Sequence, residues 1–210
     1  MSVGTMFTPK TTKPKLVKYT FNDLERIAFK VDIVGEEYDM CVDFSKNMWA
    51  NKKKGEWGRG MMNTDSDPYK TERTGVIGEM GYAKLESIPV DMIYREGGDD
   101  YDFVRNDKKI NIKTSHKEPW YQSGLVKAGY YRTKDGKTEF MPVEVKHDYF
   151  VFGFLTLDDT KAKIASVVFI GGCDKNTLIN RDMKRAIKGS HMNYQIHYSE
   201  LTEMRKIKFD

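Results

Sequence analysis

YDFVRNDKKINIKT, residues 101–114, decides the fold, because it reads as two short strands closing on a tight turn. Apolar and polar residues alternate on both sides of Asn106 and Asp107, residue types that tolerate the positive φ of a two-residue hairpin loop. With those two in the turn, antiparallel partners keep a constant index sum. Arg105 then faces Lys108, Val104 faces Lys109, Phe103 faces Ile110 and Asp102 faces Asn111. Side chains alternate along a strand and paired residues project together, so Phe103, Ile110 and Ile112 share one face. The opposite face receives Asp102, Asn111 and Lys113. A carboxylate, an amide oxygen and an ammonium converging there suit a magnesium-dependent phosphodiesterase, which needs hard oxygen ligands and a cation beside the attacked phosphate. The plainer reading of Asp102 and Lys113 is a cross-strand ion pair on a solvated sheet face.

Upstream, VIGEMGYAKLES (76–87) has helical spacing, with Thr71 or Thr74 as a cap and Pro89 as the stop. Glu79 lies three residues after Val76 and four before Ala83, on or beside the apolar stripe. A carboxylate buried there without a partner costs several kcal/mol, roughly, so a metal ion or a lysine should accompany it. Downstream, DYFVFGFLTL (148–157) and KIASVVFIGG (163–172) are two further apolar strands, and a central sheet emerges.

The flanks are read as follows. Residues 1–18 mix Thr, Pro and Lys without period and predict a flexible lead-in; 19–70 predict a helical extension starting near Asn22, then an exposed basic loop over Asn51–Lys70. Residues 71–172 form the core of a single domain, and 173–210 a basic helix from about Asn176 with a tail. Lys52, Lys53, Lys54 and Arg59 in the loop, and Lys184, Arg185 and Lys188 on the late helix, are the candidate contacts to a phosphate backbone. Solvated charged faces are the plainer account of both groups. His116 is read as a hydrogen-bonded loop histidine, and Trp120 and Tyr121 as packing residues.

Composition sets the limits. The chain has 210 residues, 39% hydrophobic and 31% charged, which suffices for one sizeable core and argues against global disorder. A net charge of +4 and pI near 8.8 permit a polyanionic partner without demanding one. Cys41 and Cys173 form no CxxC, which disfavours a disulfide framework or a cysteine zinc site and fits a reducing compartment. The basic, polar start lacks an apolar leader core, and the longest apolar run, Ile164–Ile170, is too short to span a bilayer. The expectation is a cytoplasmic protein with no membrane partner, in the host cytoplasm if phage-encoded.

GEMGYAKL (78–85), GGDDYDF (97–103) and INIKTS (110–115), in that order, resemble the PD-(D/E)XK nuclease superfamily of phage and bacterial type, across about Thr71–Ile170. HKEPW (116–120) and the two later strands look like the downstream part of its small members. The resemblance implies an α/β fold: a restriction-endonuclease-like core with a mixed central β-sheet flanked by helices, here with the N-terminal helical extension. It implies Mg2+, with Mn2+ as a substitute, held by Glu79, Asp102, Asn111 and the Ile112 carbonyl, and Lys113 beside the attacking water. Asn111 departs from the family pattern, which has Asp or Glu there, and Asp99 or Asp100 are candidates to restore charge. The expected function is an endonuclease on DNA, of restriction, host-DNA-degrading or mobile-element type, leaving 5′-phosphate and 3′-hydroxyl ends. The alternatives are a degenerate DNA-binding relative, a Holliday-junction resolvase or exonuclease, and an accessory protein whose sheet mimics the motif. Cutting both strands favours a two-fold homodimer.

Overall fold

The computed structural model describes residues 6–10, 13–21, 23–54, 67–93, 102–119, 122–185 and 191–209; the side chains of 52–54 and 185 lie outside it. The elements in chain order are β1 (Met6–Phe7), β2 (Lys15–Phe21), β3 (Leu24–Val34), α1 (Glu36–Lys54), α2 (Lys70–Glu86), β4 (Val90–Asp91), β5 (Phe103–Arg105) and β6 (Lys108–Ser115). They continue with β7 (Ser123–Lys134), β8 (Lys137–Pro142), β9 (Tyr149–Asp159), β10 (Ile164–Asp174), α3 (Lys175–Ile179), β11 (Met183–Arg185) and β12 (His191–His197). A mixed sheet runs β2-β3-β10-β9-β6-β5, and an antiparallel half-barrel runs β11-β12-β7-β8. The mixed α/β architecture agrees with the sequence; the half-barrel is an addition to it.

The mixed sheet is covered on both faces. On one, Val76, Ile77, Met80 and Ala83 of α2 pack with Val31, Ile33, Ile110, Ile112, Val151, Val167 and Phe169. On the other, Phe150, Phe152, Phe154, Val168 and Ile170 pack with Val126 and Ile196 of the half-barrel. Coverage on both sides explains why β9 and β10 are continuous apolar runs rather than alternating ones. Among the described residues β6 and β9 pair in parallel, and the other strand pairs of this sheet are antiparallel.

The N-terminal helical extension is corrected. Leu24–Val34 is a strand, paired with β2 on one side and β10 on the other, so the β2–β3 hairpin is part of the main sheet. In RIAFKVDIV, Val31 and Ile33 are buried on one face and Ala28 on the other face of a strand whose β-branched residues suit a pleat, and neighbouring strands override the weak helical period. Gly35, at φ +59°, makes the break, and only then does α1 begin. The lead-in likewise contains β1, paired with β4, and the first residues of β2. Lys52–Lys54 stand at the end of α1 and not in a loop, whereas Arg59 and Trp57 fall outside the described residues. The late basic helix is corrected too. α3 ends at Ile179, and Met183–Arg185 is an edge strand on β12. The early caps also differ: α2 starts at Lys70 behind Tyr69, which makes no side-chain capping bond.

One device binds the two helices to each other and a second sets α2 on the sheet. Lys84 of α2 donates to Glu37 of α1 at 2.6 Å, with side chains only 1% and 6% exposed, and the Lys10 N–H donates to the other Glu37 oxygen at 2.8 Å. Gly78 lies so close to β6 that an added Cβ would fall 1.9 Å from the Thr114 hydroxyl oxygen. That close approach brings α2 down onto β6 beside Glu79.

Both cysteines are buried. Burial pushes the Cys173 thiol up to about 12; burial first, then the charge of Glu79, pushes Cys41 up as well. A thiol with pKa near 12 is thiolate in only about one molecule in 10⁴ at pH 8. The folded protein is therefore expected to leave both thiols unmodified by Ellman's reagent at pH 8, and to release two equivalents in guanidinium. Rapid reaction of either thiol in the native state would refute the burial.

Candidate active site

The β5–β6 hairpin has the register that its sequence dictates: Phe103↔Ile110, Val104↔Lys109 and Arg105↔Lys108. Asn106 and Asp107 both have positive φ, 49° and 59°, the requirement of a type I′ turn. Phe103, Ile110 and Ile112 are buried on the helix side. Asn111 and Lys113 therefore project to the opposite side, where their β9 partners are Phe150 and Phe152.

At Asp102 the chain leaves the ladder. Its N–H still donates to the Ile110 carbonyl (3.0 Å), while its carboxylate accepts the next N–H of β6, that of Ile112, at 2.6 Å. A strand residue directs its N–H and C=O to the same edge, so the Ile112 carbonyl points to the edge that Asp102 occupies. Among the described residues no strand pairs with β6 on that side beyond Ile110.

Glu79 arrives from the other side of the sheet. Glu86, seven residues later on the same stripe of α2, ion-pairs with Arg105 of β5. Two helical turns back rise about 10 Å, and three strand residues cover about 10 Å. Because Gly78 lies over Thr114 and Tyr82 packs on Phe103, α2 runs antiparallel to β6. By that spacing Glu79 falls level with the Asp102–Ile112 end of the hairpin, on a half-buried flank of α2, and its charge also reaches Cys41 of α1. The edge of β6 is where groups from both faces can meet.

Asn111 is 7% exposed, and its Oδ1 is buried without a hydrogen-bond partner among the described residues. Its Nδ2 lies 3.2 Å from His147 Nε2, and the His147 ring meets Phe150 edge-on at 5.5 Å. An orphaned buried oxygen on the residue next to Ile112, whose N–H holds the Asp102 carboxylate, belongs to a set of hard oxygen donors whose chemistry fits a hard cation. Asn111, Ile112 and Asp102 supply those oxygens, and Lys113, half-buried, adds a positive charge two residues along. Among the described residues no cluster of three or more His, Cys, Asp or Glu could hold a metal ion. Asp99 and Asp100 lie outside the described residues, as do Trp120, Tyr121 and Lys188.

The sequence reading missed His147, 36 residues from Asn111, and no local pattern signals that proximity. It also missed a polar cleft of about 670 Å³ at the far end of β6 and β9, lined by Lys70, Arg73, His116, Lys117, Thr156 and Asp158 among others. Arg73, 4% exposed, donates to Asp158 from Nε (3.0 Å) and Nη2 (2.8 Å) and is neutralised there, while His116 and Lys117 are exposed. Of the phosphate contacts expected on the late helix, Lys184 is exposed on β11, far along the chain from this edge; the side chain of Arg185 is not described. Among the described residues no helix is long and apolar enough to cross a membrane. In comparisons with known proteins, no family model, curated protein or solved structure matches the chain.

Proposed function

We propose that the protein is a Mg2+-dependent endonuclease that hydrolyses DNA phosphodiester bonds to 5′-phosphate and 3′-hydroxyl ends. The observation that carries this reading is the β5–β6 edge: the Asp102 carboxylate at the Ile112 amide, the Asn111 oxygen without a hydrogen-bond partner among the described residues, and Lys113 on the same face as Asn111. Asp102, Asn111, the Ile112 carbonyl and Glu79 would hold the ion. Bound there, Mg2+ or Mn2+ supplies Lewis-acid polarisation of the phosphate and a water of lowered pKa. Lys113 orients the nucleophile and offsets charge growing on the phosphate oxygens, a task for a compact ammonium whose proton can move. Plasmid DNA incubated with the protein and Mg2+ or Mn2+, with and without EDTA, tests the reading. Nicking or linearisation abolished by EDTA supports it, and intact plasmid under all metal conditions overturns it.

One observation favours a second reading, a DNA-binding protein that kept the fold and lost turnover: Asn111 removes a negative charge from the ion site, and no carboxylate cluster replaces it among the described residues. Metal-independent binding with no cleavage would select it. Resolvase and exonuclease activities are variants of the first reading, separable by branched and end-labelled substrates. A homodimer follows if both strands are cut.

The cleft beyond Lys113 lies in line with β6, three to four residues farther on. β6 ends at Ser115, so His116 and Lys117 stand in the bend just past the strand that carries Lys113. Alanine at both Lys70 and Lys117 is expected to weaken duplex binding uniformly across sequences and to lower the log–log salt slope by about one per lysine. Fluorescence anisotropy across a NaCl series checks this; an unchanged slope would remove the cleft from the DNA path.

A further inference from the structure

We infer that His147 is a positioning residue that turns the Asn111 amide so that its oxygen, and not its nitrogen, faces the cation. The inference rests on the metal reading above. An aspartate at this position offers two equivalent oxygens, so its orientation is immaterial. An asparagine offers one oxygen and one NH2, and only one of the two orientations serves a cation.

The structure contains a device that makes the choice. Asn111 is buried, and the atom that approaches it across the β6–β9 junction is His147 Nε2, 3.2 Å from Nδ2. With the imidazole proton on Nδ1, Nε2 accepts from the amide, which leaves Oδ1 as the unpaired atom. The reverse orientation would bury an NH2 group where the ion is held, and its protons would repel a cation.

His147 is itself fixed in place. The following residue, Asp148, is tied to β6 by two bonds: its N–H donates to the Lys109 carbonyl (2.8 Å), and its carboxylate accepts the Lys109 N–H (2.8 Å). A third bond runs from the Lys175 N–H to the Asp148 carbonyl (2.7 Å). Phe150 then packs against the His147 ring. The histidine therefore sits on a backbone locked to the strand that carries Asn111, the arrangement an outer-shell residue needs if it is to orient a ligand.

The test is a two-background series read by Mn2+ binding, using calorimetry on the full chain without DNA, with cleavage as a second readout. Asp102→Asn and Asn111→Ala serve as ligand controls. His147→Ala is expected to weaken Mn2+ binding about 10–100-fold in the Asn111 background, the usual effect of removing such a partner. In the Asn111→Asp background the same change is expected to cost less than about threefold, because a carboxylate needs no turning. His147→Gln, whose side-chain oxygen can also accept from Nδ2, is expected to restore most of the affinity and guards against a folding defect, which circular dichroism would reveal.

Equal losses in both backgrounds would show that His147 acts by packing, and would overturn the inference. So would unchanged affinity in His147→Ala when Asn111→Ala and Asp102→Asn lose it; the metal reading would then stand alone. Absence of Mn2+ binding by the wild-type chain, or binding indifferent to Asp102 and Asn111, would overturn the metal reading and the inference together.

Discussion

Lys113→Ala is expected to lower plasmid cleavage by about 10²–10³-fold, the usual cost of removing one preorganised stabiliser of developing charge. DNA affinity should change little, because one phosphate contact among several is lost. The side chain projects from the middle of a strand held on one side by β9, beside Phe152. That ring is itself wedged under β7, where a Cβ on Gly124 would fall 2.3 Å from it. The ammonium thus starts from a rigid seat, and its charge is already in place before substrate arrives. Lys113→Arg is expected to rescue poorly, since a guanidinium holds its proton and has a different reach. Single-turnover cleavage under saturating enzyme separates the chemical step from binding. Retention of more than a tenth of wild-type rate in Lys113→Ala would remove this lysine from the chemistry.

Glu37→Ala is expected to destabilise the fold by about 3–5 kcal/mol, because it strands the Lys84 ammonium in an interior from which water is excluded. Both Glu37 oxygens are engaged, one by Lys84 and one by the Lys10 N–H, so a second bond, between Glu37 and a residue at the surface, is lost as well. The paired replacement Glu37→Leu with Lys84→Met is expected to recover most of that loss, since apolar groups of similar volume need no partner. Urea unfolding of the three proteins measures both values; a single variant within about 1 kcal/mol of wild type would mean that water reaches the site. The pair also bears on the proposed active site. It fastens α1 to the C-terminal part of α2, five residues beyond Glu79, so loosening it is expected to reduce cleavage through Glu79 placement even at temperatures where the chain stays folded.

The hairpin was legible because it is local. A turn needing positive φ at two consecutive residues, with a constant index sum, specifies the pairs out to Phe103 and Ile110, and therefore that Asn111 and Lys113 share the face opposite Ile110 and Ile112; the pairing expected of Asp102 with Asn111 gives way to a carboxylate bond to the Ile112 N–H. β9 and β10 were equally legible, because strands covered on both faces must be apolar at every position. The resemblance built on these segments concerned a handful of residues within one stretch of chain.

What failed involved competition between distant partners. Residues 24–34 carry both a helical and a strand period, and the outcome follows from β2 and β10 offering two sets of backbone bonds. The late basic segment became a strand for the same reason, with β12 beside it. The half-barrel, the burial of Lys84 against Glu37 across 47 residues, and the approach of His147 to Asn111 have no local signature. The sequence alone determined which groups the hairpin presents, because turn geometry and side-chain alternation act over a few residues. The tertiary structure alone decided what stands beside them, because burial and backbone pairing are satisfied between segments far apart in the chain.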